Sequence, residues 1–133
     1  ESKVLVVGAG GLGSEAAEAL ARAGVGKLTL VDKDTVELSN LNRQLLFREE
    51  DIGKPKAEVA KERLREINPE VEVEAVEERI TEENLEELLK DVDLVVDALD
   101  NIEARLLLND ACVKKGIPLI SAGVLGFKGQ VVT

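Results

Sequence analysis

Lys3-Val-Leu-Val-Val-Gly8-Ala-Gly10-Gly11-Leu-Gly13 decides what kind of fold this chain adopts. A continuously apolar, β-branched run of this length reads as a strand covered on both faces, as in a parallel sheet. It runs straight into a G-x-G-x-x-G turn. Such glycines permit the tight turn and let backbone N–H groups approach phosphates at the N-terminus of the next helix. Gly11 to Ala23 is predicted to be that helix, with Ala16, Ala19, Leu20 and Ala23 on one face and Gly24 stopping it. Lys27-Leu-Thr-Leu-Val-Asp32 reads as the second strand, and Asp32 stands where an acid accepts hydrogen bonds from ribose hydroxyls. Together these features predict a nucleotide site. They do not separate NAD from ATP.

Working outward, Lys33 to Pro55 holds no clean period, and about twenty irregular residues in a small domain are either functional or disordered. Pro55 is expected at a first helical position, followed by a helix face of Val59, Ala60, Leu64 and Ile67. Val71 to Val76 alternates and predicts a strand nearer the sheet edge. Thr81 reads as an N-cap before the acidic turn Glu82-Glu83, with Leu85, Leu88 and Leu89 facing inward. Asp93 to Asp97 is a buried strand, Asn101 to Lys115 a helix ended by Gly116, and Ile117 to Ile120 the next strand. Gln130 to Thr133 begins a final stretch. Strand and helix alternate without repeats or linkers. The expected fold is α/β: a single-domain, Rossmann-like, doubly wound, mostly parallel sheet with helices on both faces.

The bulk properties prune the function classes. A chain of 133 residues is the size of one domain. No run of about 18 apolar residues occurs, so no membrane-spanning helix is expected. The net charge of −10 repels phosphate backbones and makes nucleic acid a poor main partner. Yet Arg43, Arg48, Lys54 and Lys56 cluster in one stretch, which suits a small anionic ligand. The lone Cys112 forbids an internal disulfide and fits a reducing, cytoplasmic setting. His, Tyr, Trp and Met are all missing, which removes Ser-His-Asp triads, Cys-His pairs, His metal sites and tyrosine acids. That bias suggests a thermophile-like or consensus-like sequence. The chain opens Glu1-Ser2-Lys3 without Met, and so reads as an excised domain.

In doubly wound sheets, ligands bind beyond the carboxyl ends of the strands. That rule puts the glycine turn, Asp32, the segment Ser39-Asn40-Leu-Asn-Arg43-Gln44, Lys56 at the next helix start, and Asp100-Asn101 after the fourth strand on one rim. Cations there can hold a triphosphate, and a carboxylate can hold Mg²⁺. A dinucleotide needs neither. Asp100 has a second reading as a helix N-cap, but Asn101 is the better cap and the metal reading is preferred. Asp97 is either a rim residue or a structural acceptor and stays outside the predicted site. Cys112, near Leu106, Leu108 and Val113, reads as a core residue, and the Glu70–Glu87 tract as a solvated face. Gly123 to Gly129, with Phe127, either borders a groove for a peptide tail or is a plain turn.

Gly-Ala-Gly-Gly-Leu-Gly, Val-Asp-x-Asp-x-Val-x-x-Ser-Asn-Leu-x-Arg-Gln, Gly-Lys-Pro-Lys and Asp-Asn, in this order, resemble the ThiF/MoeB/HesA family, which also supplies the adenylation domains of ubiquitin-activating enzymes. The resemblance spans about Lys3 to Thr133 and implies that residues 1–133 are an ATP-binding adenylation domain, truncated at both ends relative to the family. It implies that Gly8, Gly10, Gly11 and Gly13 form the phosphate turn, that Asp32 holds the ribose, and that Asn40, Arg43 and Gln44 orient the phosphates. Lys56 would neutralise the phosphates and Asp100 would coordinate Mg²⁺. The implied reaction is attack of a C-terminal glycine carboxylate, on a ubiquitin-like or sulfur-carrier protein, at the α-phosphate of ATP. Such chemistry needs positioning and charge neutralisation more than acid–base side chains, so a His-free chain can perform it. Homodimers are usual in that family. Its two Cys-x-x-Cys pairs for Zn²⁺ are missing here, so no zinc site is expected, and so are the downstream catalytic Cys and the preceding segment that lends an Arg. Two alternatives stand beside this reading: a nucleotide-binding domain without turnover, and an NAD-dependent oxidoreductase.

Overall fold

The computed structural model describes residues 2–8, 11–33, 53–99 and 101–122. Among these residues five strands are present, β1 (Lys3–Val7), β2 (Lys27–Val31), β3 (Glu72–Val76), β4 (Leu94–Asp97) and β5 (Leu119–Ser121). Four helices connect them, α1 (Gly11–Ala23), α2 (Lys56–Ile67), α3 (Glu82–Leu88) and α4 (Ile102–Lys115). The strands form one parallel sheet in the order β3-β2-β1-β4-β5. This is the doubly wound topology expected from the alternation of elements, with the order reversing between β1 and β4.

The apolar run of β1 is buried because the strand lies in the middle of the sheet and faces a core on each side. Val4 and Val6 join Ala16, Ala17, Ala21, Ala57, Ala60 and Leu64 of α1 and α2. Leu5 and Val7 join Leu85, Leu89, Leu108 and Cys112, under α3 and α4. The alternating β3 is indeed an edge strand. Its Val73 is buried, while exposed Glu72 and Glu74 each lie 3.6 Å from Lys27 Nζ. Charged residues on such an edge discourage pairing with another sheet.

Several local expectations need correction. On α1 the buried residues are Ala16, Ala17 and Ala21, whereas Ala23 is exposed. The helix packs on both the sheet and α2, so its covered arc is turned from the one predicted. Pro55 is the N-cap of α2 and not its first residue, because its ψ of 133° is extended. β5 begins at Leu119, since Pro118 has no N–H to give, although its carbonyl still accepts from Val95 N–H at 3.0 Å. On α4 only Leu108 and Cys112 are buried, while Ile102, Leu106 and Val113 are exposed.

The start of α3 and both ends of α4 follow their predicted chemistry. Thr81 and Asn84 form a reciprocal capping box on α3. Asn101 Oδ1 accepts from Ala104 N–H at 3.0 Å, and Gly116 closes α4. Among the described residues no helix is long and apolar enough to cross a membrane.

Candidate nucleotide-binding site

The glycine turn is held to the sheet on both sides of the point where the strand order reverses. Gly8 N–H donates to Val31 O at 2.7 Å, and Ala98 N–H donates to Val7 O at 2.9 Å. Gly8 has φ of +99°, and a Cβ there would stand 2.8 Å from the carbonyl oxygen of Ala98. A Cβ on Gly13 would run into the carbonyl oxygen of Gly8. These two positions therefore demand glycine for reasons of space, and Gly8 for its backbone angle as well. The outcome is a bare backbone at the end of β1, leading into α1 at Gly11.

The charge at that helix end is unusual within the molecule. α2, α3 and α4 carry Glu58, Glu82 with Glu83, and Glu103 in their first turns, but α1 carries no acid there. A helix N-terminus favours negative charge, so an acid-free first turn leaves that preference to a ligand.

Asp32 directly follows β2, and its N–H donates to Val76 O at 3.0 Å. Its partly buried side chain thus starts from the carboxyl rim of the sheet, next to the strand that enters the glycine turn. Lys56 is the first residue of α2 and is only 8% exposed. It makes no hydrogen bond or ion pair with a described residue. Its stem is covered while its ammonium keeps some contact with solvent, which leaves the charge available to an anion at the start of α2.

The sequence profile of the ThiF family matches residues 1–133. This chain belongs to that family. Among its relatives, the sulfur carrier protein adenylyltransferase of Thermus thermophilus is 52% identical over 130 residues, covering 98% of this chain and 48% of the relative. The SAMP-activating enzyme E1 of Haloferax volcanii is 50% identical over 132 residues, covering 99% and 49%. Among solved structures, the tRNA N6-threonylcarbamoyladenosine dehydratase TcdA of E. coli, in complex with ATP, superposes with a TM-score of 0.86. It is 41% identical, with 91% of this chain and 50% of that chain covered. The present ThiF-family chain spans about half the length of these relatives.

Of the residues predicted for the site, Gly8, Gly11, Gly13, Asp32 and Lys56 fall within the described residues of this ThiF-family domain, all at carboxyl strand ends or helix starts. Gly10, Asn40, Arg43, Gln44 and Asp100 lie outside them, as does the Gly123–Gly129 segment with Phe127. Among the described residues no three His, Cys, Asp or Glu side chains gather as a metal site. A Mg²⁺ ion held mostly by phosphate oxygens and one carboxylate needs no such cluster.

Asp97, which the sequence reading set aside, proves to be a structural acceptor with two partners. It is 7% exposed at the end of β4. Its Oδ1 accepts from Leu99 N–H at 2.9 Å and its Oδ2 from Arg105 Nε at 3.1 Å. The sequence signal was an acid closing an otherwise apolar strand, eight positions before an arginine in the first turns of a helix. Asp97 also acts on its neighbour in the core: burial, and secondarily the Asp97 charge, push the Cys112 thiol above its ordinary pKa. That thiol stays neutral and buried, as a core residue and not a nucleophile.

Proposed function

We propose that this chain is the ATP-binding core of an adenylyltransferase, which activates the C-terminal glycine carboxylate of a ubiquitin-like or sulfur-carrier protein. The observation that carries this reading is Lys56, a buried cation without a described partner, at the rim that also holds an acid-free helix N-terminus. The Thermus thermophilus and Haloferax volcanii relatives are named for the same class of activation, and the E. coli neighbour holds ATP.

In this reading the backbone N–H groups after Gly8 cradle the phosphates, Asp32 accepts from the ribose hydroxyls, and Lys56 neutralises the phosphate charge, with Asn40, Arg43 and Gln44 as further phosphate ligands. Asp100 would hold Mg²⁺, which supplies neutralisation of the pyrophosphate as it leaves. The carrier carboxylate is already ionised at neutral pH and needs no base. Its oxygen attacks the α-phosphorus, the bond to the bridging oxygen of pyrophosphate breaks, and an acyl-adenylate results. The domain then works by position and electrostatics alone. Assembly as a homodimer and a cytoplasmic location belong to the same proposal.

Calorimetric titration with ATP and Mg²⁺, and separately with NAD, tests it. The expected result is Mg²⁺-dependent ATP binding, no NAD binding, and carrier-dependent exchange of pyrophosphate into ATP. NAD binding without ATP binding would overturn the reading.

A further inference from the structure

We infer that Arg105 is a ligand for the carboxylate that attacks ATP: Asp97 holds its Nε, and the free edge of the guanidinium, Nη1 with Nη2, receives the C-terminal carboxylate of the acceptor. The inference rests on the adenylyltransferase reading above and adds to it a residue on the acceptor side.

The pair uses one edge of the arginine and leaves another open. Asp97 Oδ1 accepts from Leu99 N–H at 2.9 Å, and its Oδ2 accepts from Arg105 Nε at 3.1 Å. Asp97 is 7% exposed at the end of β4, so this bond is anchored in the sheet. Arg105 is half exposed, and its guanidinium makes no other hydrogen bond or ion pair with a described residue. A guanidinium can grip a carboxylate through two parallel N–H donors. With Nε spent on Asp97, the Nη pair is the edge that can do so, and the anchored Nε restricts where it points.

Sign and position support the same role. Arg105 lies near the start of α4, where a helix favours acids and where Glu103 stands. A cation there is not placed for the sake of the helix. Asp97 is in register with Val7, the last residue of β1 before the glycine turn, so the arginine stands at the same carboxyl rim. It stands across the sheet from Lys56. The helix that Lys56 opens, α2, packs on the layer of Val4 and Val6, whereas α4 packs on that of Leu5 and Val7. In displacement at phosphorus, the entering and leaving oxygens stand roughly in line, on opposite sides. With Lys56 neutralising phosphates on one face, a cation on the other suits the entering carboxylate. Arg105 takes and gives no proton in this role. It orients a group that is already ionised and offsets its repulsion by the phosphates.

The test adds a synthetic peptide ending in glycine to the 133-residue chain, once with a free C-terminal carboxylate and once as the C-terminal amide. NMR follows the arginine Nε–H signals and the backbone signals of α4. One Nε–H signal, missing in Arg105→Lys, should shift saturably with the carboxylate and not with the amide. Arg105→Lys keeps a cation for Asp97 but loses the paired donors, so carboxylate affinity should fall about tenfold with little change in melting temperature. Calorimetry should show its ATP affinity within about twofold of the unaltered chain. Arg105→Gln should weaken carboxylate binding at least as much. Equal shifts with carboxylate and amide, or unchanged binding in Arg105→Lys, overturn the inference. A larger loss of ATP than of carboxylate affinity also overturns it, by making Arg105 a phosphate ligand. A chain that binds ATP but not the peptide keeps the adenylyltransferase reading and sinks this inference. One that binds the carboxylate through Arg105 but no ATP sinks the reading and leaves a carboxylate site.

Discussion

Two helix N-termini in this domain meet the same electrostatic problem in opposite ways. α3 satisfies itself: Thr81 and Asn84 cap it reciprocally, and Glu82 and Glu83 supply the negative charge its first turn favours. α1 begins at a glycine, has no acid in its first turn, and follows a turn packed so closely that Gly13 abuts Gly8 and Gly8 abuts Ala98. One end is finished by the chain. In the proposed function the other is left to a phosphate, which Lys56 at the start of α2 would neutralise.

The comparison can be broken most severely at Gly13. Gly13→Ala has no room for its methyl group, and shifting the Gly8 carbonyl should cost roughly 3 kcal/mol or more. Denaturant unfolding should show that loss, and calorimetry should show ATP binding abolished. Lys56→Met is expected next in size. It keeps the volume but removes the charge, so ATP affinity should drop about 10–100-fold, as for a lost charged hydrogen bond. Thermal unfolding should show no loss of stability, because the covered stem is replaced by one of similar volume and no ion pair with a described residue is broken. Ser14→Glu would sharpen the contrast by giving α1 the acid that the other helices carry. ATP affinity should then fall about 2–5-fold, while the matching loss of charge in α3, Glu83→Gln, should leave it unchanged. Thr81→Ala should cost about 1 kcal/mol of stability, read by denaturant midpoint, with ATP affinity intact.

Cys112 offers the smallest effect and a pH test of the far side of the sheet. Its thiol is held neutral in the folded state, chiefly by burial. The unfolded chain ionises first as pH rises, so the contribution of this thiol to stability is full below its ordinary value of 9.0 and fades above it. Alkylation of the native protein at pH 8 should be slow, and should become rapid in denaturant. Fast reaction in the native state would mean that the core under α4 opens readily.

Much of this was legible in the sequence for reasons that can be named. The glycine turn, the buried β1 run and the caps at Thr81, Asn101 and Gly116 are local signals, each with its own stereochemistry. The acidic edge of β3 was legible because alternation reports burial directly. The face of α1 was misjudged because an alanine-rich helix offers little contrast between its sides, and only contact with α2 decides which alanines are covered. The exposed Leu106 and Val113 show the same weakness in α4, whose apolar residues surround the helix. Asp97 escaped because its significance lies in a partner eight residues away, and no period announces that. The burial of Lys56 was not legible, since sequence alone presents it as an ordinary surface cation.

The position of β1 also governs how the chain is built over time. It precedes both of its neighbours in the chain and is the central strand of the described sheet, with β2 on one side and β4 on the other. The bond between Lys3 N–H and the Asp93 carboxylate spans 90 residues. At about 5–20 residues per second, β1 waits several seconds for its second neighbour to emerge. During that interval, the segment that ends in the glycine turn has an open flank of unpaired backbone. The strand that leads into the glycine turn is thus also one that a growing chain must shield while its second flank is still to come.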